Sequence, residues 1–329
     1  MNSSIIRRYF ISERLYLSPP RTCFIGLDLC VIAEELGSSV APTPFSSSVY
    51  LASEAIINFG DESQKKSFLP GLASGEKIGA FAHNETTTSP TEANISCSFT
   101  GGSLSGTKIA VADGDVANTF IVTANNGSGV GLYLVDGTAD GIEVEPQSTL
   151  DPSRSHASIT FSNTPATELK SDWSDVLSLL DRAAVLFSFE QLGGAEACMD
   201  MAKEYAMGRY AFGRSIASFQ AIKHRLADLL LELELAKSAC YQAAQALADN
   251  EKIQERSSLA KSAANEAFLK AGLECIQLHG GIGFTWENDT HLWFKRAKSS
   301  EVLLGNSAIH YERLLLAIPA VDSALRRAS

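Results

Sequence analysis

Apolar residues recur at helical spacing through the first part of the chain. Over 27–36 they fall three or four positions apart, and Gly37 follows as a C-cap. A second helical segment is predicted over 49–59. A third opens at an acidic capping sequence and is predicted over 61–69, where Pro70 stops it. The first part of the chain is therefore predicted to be helical.

The pattern changes after Gly79. Residues 80–165 are rich in Thr, Ser, Val and Ile, in short runs such as 120–123 and 131–135. Turn-forming residues such as those at 125–129 separate these runs. Short β-rich runs bounded by Gly and Asn are typical of hairpins. This segment is therefore predicted to be a small antiparallel β domain.

Long amphipathic segments follow. They predict four helices, at roughly 173–210, 215–249, 253–279 and 287–327. In the second helix, apolar residues repeat at three- and four-residue spacing as a core-facing stripe: Ile222, Leu226, Leu229, Leu230, Leu233 and Ala236. Four such helices with short connections predict an antiparallel bundle.

The whole pattern predicts a multi-domain α+β fold. An N-terminal helical domain covers 1–79, a β-barrel-like middle domain covers 80–165, and a C-terminal four-helix bundle covers 166–329. With 329 residues, 45% of them hydrophobic, the chain is long enough to form these cores.

Composition argues against several functions. A net charge of −11 leaves no basic stripe for nucleic acid, and no apolar run reaches the length that a bilayer requires. The six cysteines lack metal-site spacing, so we expect no metal and reduced thiols in a cytoplasmic protein. Four arginines and several serines between Met1 and Arg21 leave a transit peptide to the mitochondrial matrix as an alternative to an irregular start.

Two segments of the helical half are candidates for ligand binding. The first is Arg209-Tyr210-Ala211-Phe212-Gly213-Arg214, and the second is Gln277-Leu278-His279-Gly280-Gly281. Glycine allows a backbone to approach a ligand closely because it has no Cβ. For the second segment, a plain connection between two helices is the structural alternative.

Together these segments resemble motifs of the acyl-CoA dehydrogenase family, in which R-x-x-F-G and Q-x-H-G-G bind FAD. The resemblance covers residues 27–318. Further matching pieces occur in the family's order: 106–108, 150–154, 204–209, 219–220, 226–228 and 295–298. The family fold has the same order of domains as the one predicted here.

The resemblance implies an FAD-dependent enzyme that dehydrogenates an acyl-CoA. A carboxylate removes the α proton while hydride passes to the flavin. Arg209 matches the cation on the pyrophosphate, which a guanidinium binds in fork geometry; a solvated cation at a helix end is the alternative. The other implied FAD contacts are Phe212, Gln220, Gln277, Gly280, Gly281, Asn84, Ser89 and Asn306.

The resemblance also implies an assembly. In the family, residues matching Gln277, Gly280 and Gly281 contact the FAD of a neighbouring subunit, so at least a dimer, and commonly a tetramer, is expected. Electron-transfer flavoprotein or a similar acceptor is the implied redox partner. Whether the enzyme is a dehydrogenase or an acyl-CoA oxidase stays open.

The main departure from the family concerns the catalytic base. The two family positions for the glutamate correspond to Ala183 and Leu304, and neither is a carboxylate. Glu190 lies two helical turns after Ala183, and Asp181 lies two residues before it, so both are catalytic candidates. Glu301, three residues before Leu304, is a weaker candidate. Their structural alternatives are a bundle contact for Glu190, a helix-dipole partner for Asp181 and a surface or paired carboxylate for Glu301.

Two further departures concern the pocket. Where the family has T-E-P-G-A-G-S-D, residues 84–89 read N-E-T-T-T-S, which keeps Glu85 and the hydroxyls but not the glycines. The family's P-E-x-x-G-G turn is also missing. Short members of this kind resemble one half of heteromers that act on bulky, steroid-side-chain-like acyl-CoA esters, with the base on a longer companion subunit. A non-catalytic scaffold that assembles with an active paralogue is the alternative.

Overall fold

The computed structural model describes residues 22–317, with side chains from residue 26 onward. The segment considered as a transit peptide lies outside the described residues. The described chain forms two compact units, one of Thr43–Leu180 and one of Thr22–Pro42 together with the chain from Asp181 onward. The three predicted domains do not coincide with these units, because the first helix belongs with the later helices and the next helical segments belong with the sheet.

The helical segments before the sheet differ in detail from those predicted. They are α1 (Thr22–Ser38), a π-helix (Ser46–Ser53), α2 (Glu54–Phe59) and α3 (Glu62–Ser74). The single helix predicted over 49–59 is therefore a π-helix followed by a short α-helix. Three successive serines of the π-helix are buried, and Ser48 Oγ donates to the Gly79 carbonyl at 3.2 Å.

Helix α3 begins as its sequence predicts but ends later. Asp61 and Gln64 form a capping box, each side chain accepting from the other's backbone N–H at 2.8 Å. The predicted stop at Pro70 is wrong, because the helix continues through it and ends at Gly75, whose φ is 75°. Proline removes one helical hydrogen bond, but the left-handed glycine cap after it closes the final turn.

The first unit contains an eight-stranded sheet with the order β6-β7-β3-β2-β4-β5-β8, in which β1 pairs with β4. Its strands are β1 (Gly79–Ala82), β2 (Ser98–Thr100), β3 (Ser103–Ala112), β4 (Thr119–Asn125), β5 (Val130–Asp136), β6 (Ile142–Gln147), β7 (His156–Pro165) and β8 (Thr167–Glu168). The β-rich segment therefore forms a sheet as predicted, and most of its strand pairs are antiparallel, although β4 pairs in parallel with β1 and β2.

Large side chains fill the core of the sheet. Phe120 and Phe161 are 1% and 2% exposed, and their rings meet edge to face at 6.3 Å. Tyr133 stacks on Phe99 with ring centroids 4.2 Å apart. Burying each side chain of this size stabilises the fold by roughly 1.5–3 kcal/mol. This core supports β1 and β3, which carry the polar cluster described below.

Five α-helices account for most of the second half of the described chain. They are α4 (Trp173–Gly208), α5 (Gln220–Asp249), α6 (Ile253–His279), α7 (Thr290–Val302) and α8 (Ser307–Ala317). Helix α4 belongs to the first unit through Leu180 and to the second from Asp181. Up to residue 317, the fourth predicted helix is two helices, because Leu304 and Gly305 adopt φ values of 60° and 107° that no α-helix can contain. The last part of that prediction, 318–327, lies outside the described residues.

Close backbone contacts hold the second unit together. A Cβ on Gly193 of α4 would lie 1.9 Å from the Glu34 carbonyl oxygen of α1, and one on Gly194 would lie 2.4 Å from the Phe268 ring of α6. On α5, Leu229 and Leu233 are buried as predicted. Leu230, which the predicted stripe includes, is 46% exposed.

Candidate functional site

Arg209 immediately follows α4 and begins a two-residue β-hairpin. Strand β9 (Tyr210–Ala211) pairs antiparallel with β10 (Arg214–Ser215). Phe212 and Gly213 form the turn between them, with φ values of 54° and 79°. Two successive positive φ angles define a type I′ turn, whose twist suits a tight hairpin. The R-x-x-F-G motif is therefore a hairpin between two helices.

Phe212 is strained and exposed at the tip of this hairpin. A positive φ is unusual for a bulky residue and costs about 1–3 kcal/mol. The side chain is 96% exposed and meets the ring of Phe219 only edge-on, at 6.3 Å. The guanidinium of Arg214 covers the Phe219 ring, 4.0 Å from its centroid. Arg209 is exposed beside this tip, so an aromatic ring and a cation are both available to a ligand.

The glycine segment begins where α6 ends at His279. Gln277 is exposed on the last turn of that helix. Gly280 has a φ of 64°, and a Cβ built on Gly280 or Gly281 would meet nothing within 4 Å. The backbone of both glycines is therefore open to close approach by a ligand, as backbone binding of a phosphate requires.

An aromatic stack joins the two segments within one chain. The rings of Tyr205 and His279 lie 4.1 Å apart, and His279 Nδ1 donates to the Cys275 carbonyl at 2.8 Å. The backbone carbonyl of Tyr205 also accepts from Arg209 N at 2.8 Å, and Gly280 directly follows His279. The resemblance assigns the glycine segment to the site of a neighbouring subunit. The observed geometry brings it beside the hairpin, so one protomer presents both.

Two further predicted FAD contacts begin helices of the second unit. Gln220 is the first residue of α5 and is exposed. Asn306 caps α8, its Oδ1 accepting from Ile309 N at 3.1 Å. His310 Nε2 donates to the Leu304 carbonyl at 3.2 Å and supports the turn before this cap. Burial, with the charges of Lys261 and Arg313, lowers the pKa of His310 to about 3, so the ring is neutral.

Asn84 and Ser89, the other two predicted contacts, lie in the first unit. The Asn84 carbonyl accepts from Ile109 N at 2.8 Å. Ser89 is exposed, and its carbonyl accepts from Asn94 Nδ2 at 3.4 Å. The first end of the 84–89 segment is therefore bonded to the backbone of β3 and the last end to the Asn94 side chain, with exposed threonines between them.

A buried ion pair lies at the start of this segment. Lys108 of β3 is fully buried, and its Nζ donates to Glu85 Oε1 at 2.7 Å and to Thr123 Oγ1 at 3.0 Å. Burial tends to raise the pKa of Glu85, but hydrogen bonds from Lys108 and Ser96 prevail and lower it to about 2. Burial and the Lys108 charge lower the pKa of neighbouring His83 to about 3. The cluster is therefore a lysine–glutamate pair beside a neutral histidine.

Glu190, the first catalytic candidate, lies in a buried ion pair. It is 6% exposed on α4, and Oε1 accepts from Arg296 Nη1 at 3.0 Å. Arg296 is 2% exposed on α7, and its Nη2 lies 3.4 Å from the Ala41 carbonyl. This geometry matches the bundle contact named as the structural alternative.

Asp181, the second candidate, also contacts a cation. Its Oδ1 lies 2.6 Å from Arg313 Nη2 and 3.2 Å from Ser257 Oγ. Burial raises the pKa of its carboxyl, and Arg313 opposes that shift. The helix-dipole alternative is wrong for Asp181, because α4 begins at Trp173, two turns earlier. Glu301 pairs with Lys298 at 3.1 Å.

Sequence reasoning missed three contacts that organise the site. They are the Tyr205–His279 stack, the Glu190–Arg296 ion pair and the Glu85–Lys108 ion pair. Family-like motifs include Glu85, Lys108 and Arg296. Their ion pairs, however, form only in the tertiary structure, and no local sequence pattern indicates them. Unpaired charges at strongly apolar positions, such as Lys108 within a strand, are the only sequence signal of a buried pair.

Residues 22–317 lack two kinds of feature. No group of three or more His, Cys, Asp or Glu side chains among them could hold a metal ion. Of the helices within that range, none has both the length and the apolar character needed to cross a membrane.

Comparison with known proteins identifies the family. The N-terminal domain model of acyl-CoA dehydrogenase matches residues 25–76, and the C-terminal domain model matches 173–318. Acyl-CoA dehydrogenase IpdE2 of Mycolicibacterium smegmatis is 32% identical over 87% of this chain and 77% of its own.

Two solved structures agree with this result. The ChsE4-ChsE5 complex from Mycobacterium tuberculosis superposes with a TM-score of 0.83 at 26% identity, over 95% of this chain and 87% of that one. A variant of the Tcur3481-Tcur3483 steroid ACAD gives a TM-score of 0.82 at 28% identity, over 100% of this chain and 90% of that one. The predicted fold class is confirmed. The chain therefore belongs to the acyl-CoA dehydrogenase family and is an oxidoreductase of that class.

Proposed function

We propose that the chain binds FAD and takes part in α,β-dehydrogenation of an acyl-CoA thioester. The observation that carries this proposal is the Tyr205–His279 stack at 4.1 Å. It joins an exposed guanidinium and a strained, exposed phenyl ring to a glycine backbone open on one side. A cation, an aromatic face and a glycine backbone that a ligand can approach closely suit the pyrophosphate and rings of a dinucleotide.

The chain's residues then have distinct roles toward the cofactor. Arg209 binds the pyrophosphate, Phe212 packs on the dinucleotide, and the backbone of Gly280 and Gly281 approaches it closely. Gln277, Gln220 and Asn306 supply polar contacts, and Asn84 and Ser89 are proposed as further polar contacts. Bound FAD would accept hydride from the β carbon of the acyl group.

We further propose that a partner subunit supplies the base. Ala183 is fully buried and apolar, Leu304 is apolar, and Glu190 and Asp181 both bind arginine. Each of these two carboxylates is thus engaged in an ion pair with an arginine of the same chain. The likeness to a two-protein complex and to a steroid enzyme supports a heteromer acting on a bulky acyl-CoA. We propose electron-transfer flavoprotein or a similar carrier as the acceptor, and the cytoplasm as the location.

Restoring a base to the chain tests this proposal. Leu304→Glu places a carboxylate where the family has one, and Leu304→Gln is its matched control. Each protein is mixed without oxygen with a series of acyl-CoA esters, from butyryl-CoA to steroid side-chain esters, while flavin absorbance is followed. Among the wild-type chain and these two variants, we expect only Leu304→Glu to lose flavin absorbance on mixing with an acyl-CoA ester. Bleaching by the wild-type chain, with loss of bleaching in Glu190→Gln or Asp181→Asn, would instead assign the base to that residue.

A non-catalytic scaffold is the second candidate. The missing carboxylates at Ala183 and Leu304 favour it, because a subunit that only assembles needs no base. Such a chain would be colourless when purified, and added FAD would not bind. Bound flavin in the purified chain would eliminate this candidate.

A further inference from the structure

The Lys108–Glu85 ion pair lies where the chain leaves the sheet and enters the hydroxyl-rich segment 84–89. Lys108 is fully buried and the Glu85 side chain is 8% exposed, so the pair is shielded from water. The next four residues, Thr86 to Ser89, are exposed. A buried charge pair thus directly precedes an exposed run of hydroxyl groups.

The contacts of Glu85 fix both of its carboxylate oxygens. Oε1 accepts from Lys108 Nζ at 2.7 Å and from Cys97 N at 3.0 Å. Oε2 accepts from Ser96 N at 2.8 Å and also from the Ser96 hydroxyl. Four donors leave this side chain little rotational freedom, because charge-assisted hydrogen bonds are short and directional.

Lys108 and the residue after it on β3 bind the backbone of the same segment. Its Nζ donates to the His83 carbonyl at 3.2 Å, and the next residue, Ile109, donates its N–H to the Asn84 carbonyl at 2.8 Å. Three successive residues of the segment's entry, 83, 84 and 85, are therefore bound to two successive residues of β3. His83 is held in addition by a stack on Trp173 at 6.0 Å.

We propose that the Lys108–Glu85 pair is a positioning device that holds segment 84–89 in the conformation in which its hydroxyl groups contact FAD. This rests on the proposed function for the identity of the ligand. The pair itself does not touch the reacting atoms, so Glu85 and Lys108 are positioning residues. Loss of the Glu85 charge releases the segment's entry and weakens FAD binding while the sheet core stays folded.

The experiment compares Glu85→Gln with Asp136→Asn in the full-length protein. Asp136 forms an exposed pair with Lys77 at 3.7 Å in the same unit and is the matched control. Hydrogen–deuterium exchange of the FAD-free proteins is followed by peptide, and FAD is titrated by quenching of its fluorescence. We expect faster exchange in Glu85→Gln confined to 83–97 and a Kd for FAD at least about 10-fold higher, because the charge-assisted hydrogen bond that holds the entry of the segment is lost. Asp136→Asn stays within twofold of wild type.

A spectroscopic readout separates positioning from a general loss of structure. At saturating FAD, the flavin absorption band of Glu85→Gln should remain shifted from the wild-type band, because the hydroxyl contacts have moved. Unchanged exchange at 83–97, or faster exchange across the entire sheet, would overturn the proposal, as would an unchanged Kd and band. Ser96→Ala removes one hydroxyl contact to Glu85 and should give smaller changes in the same direction. This variant replaces Glu85→Gln in the experiment if Glu85→Gln does not fold.

Failure of the proposed function has a different signature. In that case wild-type protein would bind no FAD at all. The exchange experiment still decides whether the ion pair holds the segment, because it uses the FAD-free protein.

Discussion

Arg209 is the residue on which the charge of the proposed FAD site depends. We expect Arg209→Met to raise the Kd for FAD by about 10–100-fold, because hydrogen bonds to charged groups contribute about 1.5–3 kcal/mol. Arg209→Lys should recover only part of this, since an ammonium cannot reproduce the guanidinium fork. Lys203→Met is the control, because Lys203 pairs with Asp200 on the exposed face of α4. Equal losses in Lys203→Met and Arg209→Met would contradict the assignment.

Glu190 separates a structural role from a catalytic one. We expect Glu190→Gln to destabilise the protein by roughly 3–5 kcal/mol, because it leaves Arg296 charged and buried without its carboxylate. Urea unfolding measures this change. Replacing both residues, as Glu190→Gln with Arg296→Met, should restore most of the stability. If Glu190 is instead the base, Glu190→Gln would abolish flavin reduction with little loss of stability.

Because of Glu85, we expect the unfolding free energy to depend on pH in the acid range. Its pKa of about 2 in the folded protein lies below the value of about 4.3 for a free glutamate. The stabilisation is therefore complete above that higher pH and is lost as the pH falls toward 2. We expect the unfolding free energy of wild type to exceed that of Glu85→Gln at pH 6 and to approach it near pH 2.

Urea unfolding of both proteins between pH 2 and pH 6 checks this expectation. Lys108, His83 and Cys97 also face Glu85, and His83 titrates in the same acid range. Because both proteins contain these three groups, their contributions cancel in the difference between the two unfolding free energies. A difference that does not change with pH would contradict the assignment of the shift to Glu85.

At the scale of elements, the hairpin keeps the Phe212 ring exposed but destabilises the fold through the strained backbone at that residue. We expect Phe212→Asn to stabilise the fold by up to about 1 kcal/mol, because asparagine tolerates the φ of 54° better than phenylalanine. The same change should raise the Kd for FAD by removing the phenyl contact. Thermal unfolding and FAD titration test both effects. A variant that is less stable, or that binds FAD as wild type does, would show that the strained ring has no such role.

Most elements could be predicted from periodicity and capping, and the exceptions have physical reasons. The Asp61–Gln64 capping box and the helix from 253 to 279 follow local patterns. Pro70 lies inside α3, because tertiary packing can override a single lost hydrogen bond. The fourth bundle helix breaks at Leu304, where a leucine gives no sign of a left-handed backbone. Local patterns therefore predict where helices begin better than where they break.

The candidate site was predictable as motifs but not as an arrangement. Arg209, Phe212 and Gly280 could be selected because their order resembles that of a known family. Their proximity depends on Tyr205 meeting His279, which are far apart in the chain and lie in no shared pattern. The ion pairs of Glu190 and Asp181 were equally inaccessible, since each joins residues more than 100 positions apart.

At the scale of the whole molecule, exposed apolar surface supports the proposed assembly. Leu231 and Leu235, one helical turn apart on α5, are each 61% exposed. Neighbouring apolar side chains on a surface commonly mark contacts with another chain. A partner subunit covering such residues is consistent with a chain that binds FAD but takes its base from elsewhere.

The most direct test of the central claim is anaerobic titration of the purified chain with acyl-CoA while flavin absorbance is recorded. Leu304→Glu is titrated in parallel and identifies which ester the site accepts. We predict that the wild-type chain is yellow and stays oxidised with the ester that bleaches Leu304→Glu. A colourless wild-type chain that binds no added FAD, or a wild-type chain that the same ester bleaches without a partner, would contradict the account.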